Sequence, residues 1–237
     1  MSKNSERFIN SFNRIEEMLN KKIGSSEYIT FKNKVEQLSQ TKDGAAIRRY
    51  RVDLLEFAEL RNAIVHQRTK PEFVIAEPHD STVEKIETIE ERITKPRTVI
   101  PEFARSVQSF QVSDPLSYVL EFIDEQKYSQ FPIYKGQAFE GLLTTNGISN
   151  WLASNIEEDI ISIRDAKNED VLPFEEYKSN YKFISRDTNI FEAEELFKNN
   201  LDKGERLEAL FITHSGKQTE KLLGIITSWD IIDIPKV

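Results

Sequence analysis

The sequence predicts an α+β protein in which an N-terminal helical domain is followed by two copies of a β-α-β-β-α unit. Two observations predict this class. Residues 141–148 and 224–231 share one pattern, a Gly, two aliphatic residues, a Thr and a helix-like segment, which indicates a buried strand ending where a helix begins. The first 95 residues instead carry apolar residues at helical spacings. The internal repeat indicates that one supersecondary unit occurs twice in the second half.

Apolar residues at spacings of three and four predict four helices in the N-terminal domain. Their ranges are about 8–24, 31–38, 45–66 and 81–93. The third helix contains neither Gly nor Pro, and Pro71 follows it. Ser81 is placed to cap the fourth helix, with Glu84 three residues later completing a capping box. Pro96 ends that helix.

The second half of the chain contains the remaining elements of both copies. Segments 112–116 and 184–190 each lead into a helix, and the apolar segments 131–134 and 209–213 are typical of strands. We therefore divide the chain into a helical domain (1–95), a lead-in segment with two prolines (96–111), a first repeat unit (112–165) and a second repeat unit (166–237).

Composition indicates an ordinary cytoplasmic protein. There is no cysteine, which excludes disulfides and thiolate metal sites. The three histidines are dispersed along the chain, so we expect no metal. No stretch approaches the roughly 18 apolar residues that a membrane helix needs, and the first residues lack the apolar core of a signal peptide. We therefore expect no membrane contact.

Charge is distributed unevenly between the two halves. Residues 1–95 carry 17 Lys and Arg against 16 Asp and Glu, whereas the remainder carries 15 against 24. Only the N-terminal half could therefore meet an RNA backbone, through a basic patch within residues 41–70. The alternative is that this patch is an ordinary solvated helix face.

The repeat resembles the cystathionine-β-synthase (CBS) domain, a β-α-β-β-α unit that occurs in tandem pairs. The resemblance implies that the two units pack through their sheets and form clefts for an adenine nucleotide, AMP, ADP or ATP. It also implies that the Thr and Asp of the Gly-h-h-Thr-x-x-Asp element contact ribose and phosphate. Thr227 and Asp230 match both positions, whereas Thr144 matches the Thr and Gly147 stands where the Asp is expected.

We therefore expect the nucleotide in the second repeat unit, and a weak, altered or empty site in the first. The strand residues Ile133 and Ile212 are further expected binding residues. Independently of the resemblance, a Thr and an Asp around the first turn of a helix lie beside unpaired backbone N–H groups, which favour anions. A carboxylate there can accept both hydroxyls of a ribose. The alternative is that Thr227 and Asp230 only cap the helix.

The segment 59–66, Glu-Leu-Arg-Asn-Ala-Ile-Val-His, resembles the signature of HEPN domains (higher eukaryotes and prokaryotes nucleotide-binding). Many members of that family are metal-independent ribonucleases, which implies Arg61, Asn62 and His66 as catalytic candidates. A His can move the proton of a ribose 2′-hydroxyl, and an Arg can hold the phosphate. One helix presents an incomplete site, and in the family dimerisation joins two copies.

Two functions remain open from the sequence. In the first, a CBS pair senses an adenine nucleotide and controls a HEPN-like domain that is a ribonuclease candidate. In the second, the chain is a non-catalytic, nucleotide-responsive scaffold for dimerisation or for a partner, because Arg and His at a helix end can simply bond the last carbonyls. We expect a homodimer in both cases.

Overall fold

The computed structural model describes residues 3–66, 76–157 and 160–232, and it has the α+β class that the sequence predicts. The helices gather in the N-terminal part, and two small sheets lie in the second half. The chain divides into two compact regions. The helical region comprises the described residues up to Arg97 together with Asn189–Glu195, and the repeat region comprises Thr98–Thr188 and the residues from Leu196 onward.

The helical region is built from amphipathic helices that bury one apolar face each. The helices are α1 (Lys3–Ile23), α2 (Phe31–Ser39), α3 (Ala45–Arg49), α4 (Arg51–His66) and α5 (Asp80–Thr94). The apolar positions that predicted them point inward, and Phe8, Ile15, Leu54 and Ile86 are fully buried. The first, second and fourth predicted helices are confirmed. Their observed ends lie within two residues of the predicted ends, except that α1 begins at Lys3 rather than near residue 8.

The predicted single helix over 45–66 was wrong, because it is divided at Tyr50. This residue leaves the helical conformation with φ −99° and ψ 16°, and α4 begins at the next residue. The buried Tyr50 ring packs edge-on against Phe191 at 5.8 Å between centroids, and its hydroxyl accepts a hydrogen bond of 3.0 Å from Arg92 Nη1. Apolar periodicity within one segment cannot register a break at a residue held by distant partners.

The predicted cap of the fourth helix was also wrong. Helix α5 begins at Asp80, so Ser81 lies inside it, and His79 is the N-cap residue. The Nδ1 atom of His79 accepts a hydrogen bond of 3.3 Å from the backbone N–H of Ser81. The ring nitrogen therefore takes the role that a Ser or Asp oxygen usually has at this position.

Two ion pairs attach residues 189–195 to the rest of the helical region. Arg48 makes two parallel hydrogen bonds to Glu195, of 2.7 and 2.6 Å. Arg49 Nη1 lies 2.6 Å from Glu194 Oε2, and its guanidinium carbon lies 5.4 Å from the centroid of the Phe191 ring. Only 19% and 6% of the Arg49 and Glu194 side chains are exposed, so these charges are largely removed from water.

The repeat region contains two three-stranded sheets of the same topology. In each sheet the first strand is parallel to the second, and the second is antiparallel to the third. The lead-in segment contains the short helix α6 (Val99–Glu102) and β1 (Phe110–Gln111), and the first repeat unit contains α7 (Leu116–Gln126), β2 (Gln130–Lys135), β3 (Ala138–Thr144) and α8 (Thr145–Ser154). Helix α9 (Asn168–Val171) follows, at the start of the range 166–237. The second repeat unit contains β4 (Tyr181–Ser185), α10 (Ile190–Asp202), β5 (Ala209–Thr213), β6 (Gly224–Thr227) and α11 (Ser228–Ile232).

The two sheets share an apolar cluster. Phe139 and Leu142 of β3 pack with Ala209 and Phe211 of β5, and the Phe139 and Phe211 ring centroids are 5.5 Å apart. Aromatic rings in this edge-to-face arrangement add to the stability that burial alone provides. The repeated Thr residues, Thr144 and Thr227, lie at the ends of β3 and β6. The shared cluster joins the two sheets that carry these strand ends.

We predict that Arg49→Ala lowers the free energy of unfolding of the helical region by about 3–5 kcal/mol, because it removes the positive charge that the buried Glu194 carboxylate faces. Arg7→Ala is the matched control, because its pair with Glu87 is exposed on both sides and such pairs contribute about 0–1 kcal/mol. Thermal and denaturant unfolding followed by circular dichroism measure both variants. Equal losses in the two variants would contradict the structural role of the Arg49–Glu194 pair.

Candidate nucleotide site

The repeated Gly lies where the segment that leads into one repeat unit crosses the third strand of the other unit. From here on, the first lead-in segment means residues 103–109, which are part of the range 96–111. The second lead-in segment means residues 172–180, which lie before the first strand of the second repeat unit. A Cβ added to Gly224 would lie 2.1 Å from the backbone oxygen of Phe103, and one added to Gly141 would lie 3.3 Å from Leu172 Cδ2. Arg105 N donates to Leu223 O at 3.3 Å in the same crossing. The Gly therefore permits a close backbone approach.

Thr227 and Asp230, the predicted nucleotide residues, are in direct contact at the end of β6. The backbone N–H and the hydroxyl of Thr227 donate to Asp230 Oδ2 at 2.7 and 2.8 Å. Arg105 Nη2 donates to the same oxygen at 2.7 Å, and Arg105 Nε donates to Ile225 O at 2.9 Å. The second oxygen, Oδ1, accepts no hydrogen bond from the residues that the structure describes.

The charge state of Asp230 follows from these contacts. Burial of the carboxyl opposes ionisation, but the hydrogen bonds from Arg105 and Thr227 outweigh it and lower the pKa of Asp230 below its ordinary value. Asp230 is therefore an anion at neutral pH, held between a hydroxyl and a guanidinium. Such a carboxylate can accept hydrogen bonds from the hydroxyls of a ligand.

An open cleft of about 190 Å³ borders this cluster. Its lining includes Arg105 and Thr227 of the cluster, together with Lys127, Tyr128 and Trp229. Trp229 is 75% exposed and Tyr128 is 53% exposed, so both rings are accessible to a ligand. Exposed rings can stack on a planar base, and the two cations can hold a phosphate.

The first repeat unit has a different carboxylate at the matching place. Glu175, on the second lead-in segment, accepts hydrogen bonds from Thr144 N at 2.7 Å and from Thr144 Oγ1 at 3.1 and 2.9 Å. A Cβ added to Gly147 would lie 1.9 Å from Glu175 Oε1, so Glu175 fills the space that a side chain at position 147 would take. The local motif did not indicate that a carboxylate from another segment fills the space beside Gly147.

Thr144 also caps the helix that follows it, because its hydroxyl accepts a hydrogen bond of 3.1 Å from Gly147 N. Burial raises the pKa of Glu175, although the bonds from Thr144 and Asn180 act in the opposite direction. The two carboxylates therefore differ in charge environment. Asp230 has an Arg beside it, whereas the hydrogen-bond donors to Glu175 are the neutral groups of Thr144 and Asn180.

The remaining predicted residues lie away from the cleft surface. Ile133 and Ile212 are fully buried on β2 and β5, and Ile133 belongs to the apolar core of the first repeat unit. Sequence reasoning missed Glu175, which is distant in sequence from the motif that it completes. From the sequence, Arg105 is one of four candidate basic residues for a phosphate contact, with Arg97, Arg164 and Arg186.

The three residues of the HEPN-like signature lie on the second half of α4. The Arg61 guanidinium carbon is 6.0 Å from the centroid of the Phe12 ring on α1, and Asn62 is exposed. His66 is the last residue of α4, and its side chain lies outside the described residues. The structure thus places Arg61 against a neighbouring helix and Asn62 at the surface.

The described residues form neither a metal-binding cluster nor a membrane-spanning helix. Across residues 3–66, 76–157 and 160–232, no group of three or more His, Asp or Glu side chains is arranged to hold a metal ion. Within the same ranges, no helix combines the length and apolar character that crossing a membrane requires.

Comparison with known proteins supports the interpretation of the repeat. Residues 174–236 match the family model of the CBS domain. The C-terminal part of the chain contains a CBS domain. No match was found among curated proteins.

Solved structures with CBS domains resemble this chain only distantly. A protein with CBS domains from Burkholderia ambifaria is 13% identical, with a TM-score of 0.42, over 56% of this chain and 89% of its own. A CBS domain-containing protein from Kribbella flavida is 10% identical, with a TM-score of 0.42, over 56% and 94%. CBSX2, solved in complex with AMP, is 17% identical, with a TM-score of 0.39, over 57% and 93%. Likeness at this level does not extend to a ligand.

We predict that Gly224→Ala lowers the free energy of unfolding by about 3 kcal/mol, the upper end for overpacking, because the added methyl group meets a backbone carbonyl. Gly141→Ala is the matched control at the same motif position, and we expect a loss of about 1 kcal/mol, since the Leu172 side chain can move. Neither Gly has a positive φ, so the pair tests space alone. Denaturant unfolding followed by tryptophan fluorescence measures both, and equal losses would contradict the tight crossing at Gly224.

Proposed function

We propose that this chain is a regulatory protein whose second CBS unit binds an adenine nucleotide, AMP, ADP or ATP, at Thr227 and Asp230. The observation that carries the proposal is the Thr227–Asp230–Arg105 cluster beside a cleft with two exposed rings. The cluster offers an ionised carboxylate for the ribose, and the cleft offers rings for the base and cations for phosphate. These are the three chemical parts of a nucleotide.

Each part of the ligand has a partner of suitable chemistry. Asp230 Oδ1 accepts the ribose hydroxyls, in the manner of the acidic residue in dinucleotide sites. Trp229 and Tyr128 stack on the adenine ring, a contact worth about 1–3 kcal/mol. Arg105 and Lys127, on the same cleft, hold the phosphate through charge-assisted hydrogen bonds.

Binding requires an exchange of partners at Arg105. Without ligand, Arg105 Nη2 is 2.7 Å from Asp230 Oδ2, and the pair neutralises itself. A nucleotide brings ribose hydroxyls to the carboxylate and a phosphate to the guanidinium, so that both groups keep a charged or polar partner. Arg105 lies on the first lead-in segment, which crosses β6 at Gly224, and the exchange thereby acts on that crossing.

The helical domain is the output of this sensor, and the chain acts as a homodimer. The HEPN-like signature supports a ribonuclease as the output, with Arg61, Asn62 and His66 in the catalytic roles. A non-catalytic scaffold is the second candidate function. The position of the Arg61 guanidinium over the Phe12 ring favours the scaffold, because a cation in that place contributes to the packing of α4 against α1.

We predict that Asp230→Ala weakens adenine-nucleotide binding about ten- to hundredfold, because a charge-assisted hydrogen bond to ribose contributes about 1.5–3 kcal/mol. Asp202→Ala is the matched control, since Asp202 is an exposed residue at the end of α10. Isothermal titration calorimetry with AMP, ADP and ATP measures affinity, and quenching of Trp229 fluorescence reports occupancy of the cleft. Absence of binding, or unchanged affinity in Asp230→Ala, would exclude this site.

Substitution of Arg61 and His66 distinguishes the two output functions. A ribonuclease cuts single-stranded RNA in the presence of EDTA and spares DNA, and His66→Ala lowers the rate about 10²–10⁴-fold by removing the proton-transfer group. A scaffold leaves RNA intact with and without nucleotide, and Arg61→Ala then lowers the unfolding temperature through lost packing on Phe12.

Light scattering at micromolar concentration tests the homodimer on which both functions depend, and a monomer mass would contradict it.

A further inference from the structure

The carboxylate that the first repeat unit lacks at position 147 is supplied by Glu175. In the second unit, Asp230 accepts the N–H and hydroxyl of Thr227 at 2.7 and 2.8 Å. In the first, Glu175 accepts the same two groups of Thr144 at 2.7 and 2.9 Å. The two contacts have the same pair of Thr donors and a carboxylate as acceptor, although Asp230 uses one oxygen and Glu175 uses both. One carboxylate comes from the following helix and the other from the second lead-in segment.

The side chain of Glu175 is in the place where an Asp at 147 would stand. A Cβ at position 147 would lie 1.9 Å from Glu175 Oε1 and 2.5 Å from its carboxyl carbon, so the two side chains exclude each other. Glu175 fits only because Gly147 has no side chain. Gly147 and Glu175 together therefore take the place of a single Asp.

Both oxygens of Glu175 have partners within the chain. Oε1 accepts from Thr144 N and Oγ1, and Oε2 accepts from Thr144 Oγ1 and from Asn180 Nδ2 at 3.2 Å. Asp230, in contrast, uses only Oδ2 among the described residues. A ligand hydroxyl that approached Thr144 would have to displace Glu175, and a carboxylate that left this place would lose its donors.

The electrostatic surroundings of Glu175 add to this difference. Arg105, which can turn from Asp230 to a phosphate, has no counterpart among the described donors to Glu175. Two further carboxylates, Glu208 and Glu176, are neighbours of Glu175. Glu208 pairs with Arg206 at 2.5 Å, and Glu176 Oε2 lies 3.4 Å from Asn146 Nδ2. A phosphate near Glu175 would meet a cleft of mixed charge that includes Lys135 and Lys178, whereas at the second site Arg105 lies beside the carboxylate itself.

We infer that Glu175 takes the place of the missing Asp in the first repeat unit and that its oxygens, both bonded within the chain, leave no acceptor for a ligand hydroxyl. The chain then binds one nucleoside ligand, and Glu175 sets this stoichiometry. The stoichiometry rests on the function proposed for the second unit. The replacement of an Asp at 147 by Glu175 does not rest on that function, and a separate experiment tests it.

A double-mutant cycle tests the replacement without any ligand. We expect Gly147→Asp alone to lower the unfolding temperature by about 5 °C or more, because its side chain meets Glu175. Glu175→Ala alone also lowers it, since Thr144 loses its acceptor. The double variant Gly147→Asp/Glu175→Ala regains the Thr144 contact and melts higher than Gly147→Asp. A double variant that melts lowest of the four proteins would overturn the inference.

Calorimetric titration with adenosine tests the stoichiometry, since adenosine carries ribose and base but no phosphate for the nearby carboxylates to repel. We expect one site per chain in the wild type and in Glu175→Gln, which keeps the size of the side chain. Gly147→Asp/Glu175→Ala should bind two, and adding Asp230→Ala to it should remove one. Two sites in the wild type, or one site in a well-folded double variant, would overturn the stoichiometry. A wild type that binds nothing refutes the proposed function, while the melting cycle still decides the replacement.

Discussion

The crossing of each lead-in segment over the third strand of the other repeat unit is the contact on which the site chemistry depends. It requires a Gly at position 224, where the backbone of Phe103 approaches within the space of a methyl group, whereas Gly141 faces only the movable side chain of Leu172. The crossing brings Arg105 to Asp230 in one unit and Glu175 to Thr144 in the other. One repeated contact thus delivers a cation to one strand end and an anion to the other.

The two strand ends therefore differ in charge environment although both carry the Gly-aliphatic-aliphatic-Thr pattern. In both, a carboxylate is drawn out of water toward the N–H and hydroxyl of a Thr, and burial opposes its ionisation. Arg105 decides the outcome for Asp230, whose pKa falls, whereas burial dominates for Glu175, whose pKa rises. An ion pair with a movable partner can exchange that partner for a ligand. A carboxylate already saturated by internal donors cannot do so without losing them.

Much of the fold could be predicted because its signals are local. The repeat predicted the order of strands and helices, since each copy carries its own Gly, aliphatic strand and Thr, and the helices of the N-terminal region followed from spacing. The break at Tyr50 and the cap at His79 could not be predicted in this way. Tyr50 contacts Phe191 and Arg92, which are distant in sequence. At position 79 a His nitrogen caps the helix, although Ser, Thr, Asp and Asn are the residues usually found there.

The site shows the same boundary between local and distant information. The mismatch at Gly147 was visible in the motif, and it indicated that a weak, altered or empty first site was to be expected. What fills the place could not be inferred, because Glu175 lies before the first strand of the second unit and nothing in its own segment marks it as the partner of Thr144. A motif describes the residues of one segment, whereas a carboxylate needs only to arrive at the right point in space. A substitution that abolishes a motif residue can therefore preserve the contact, and whether it preserves the ligand depends on what else that carboxylate already holds.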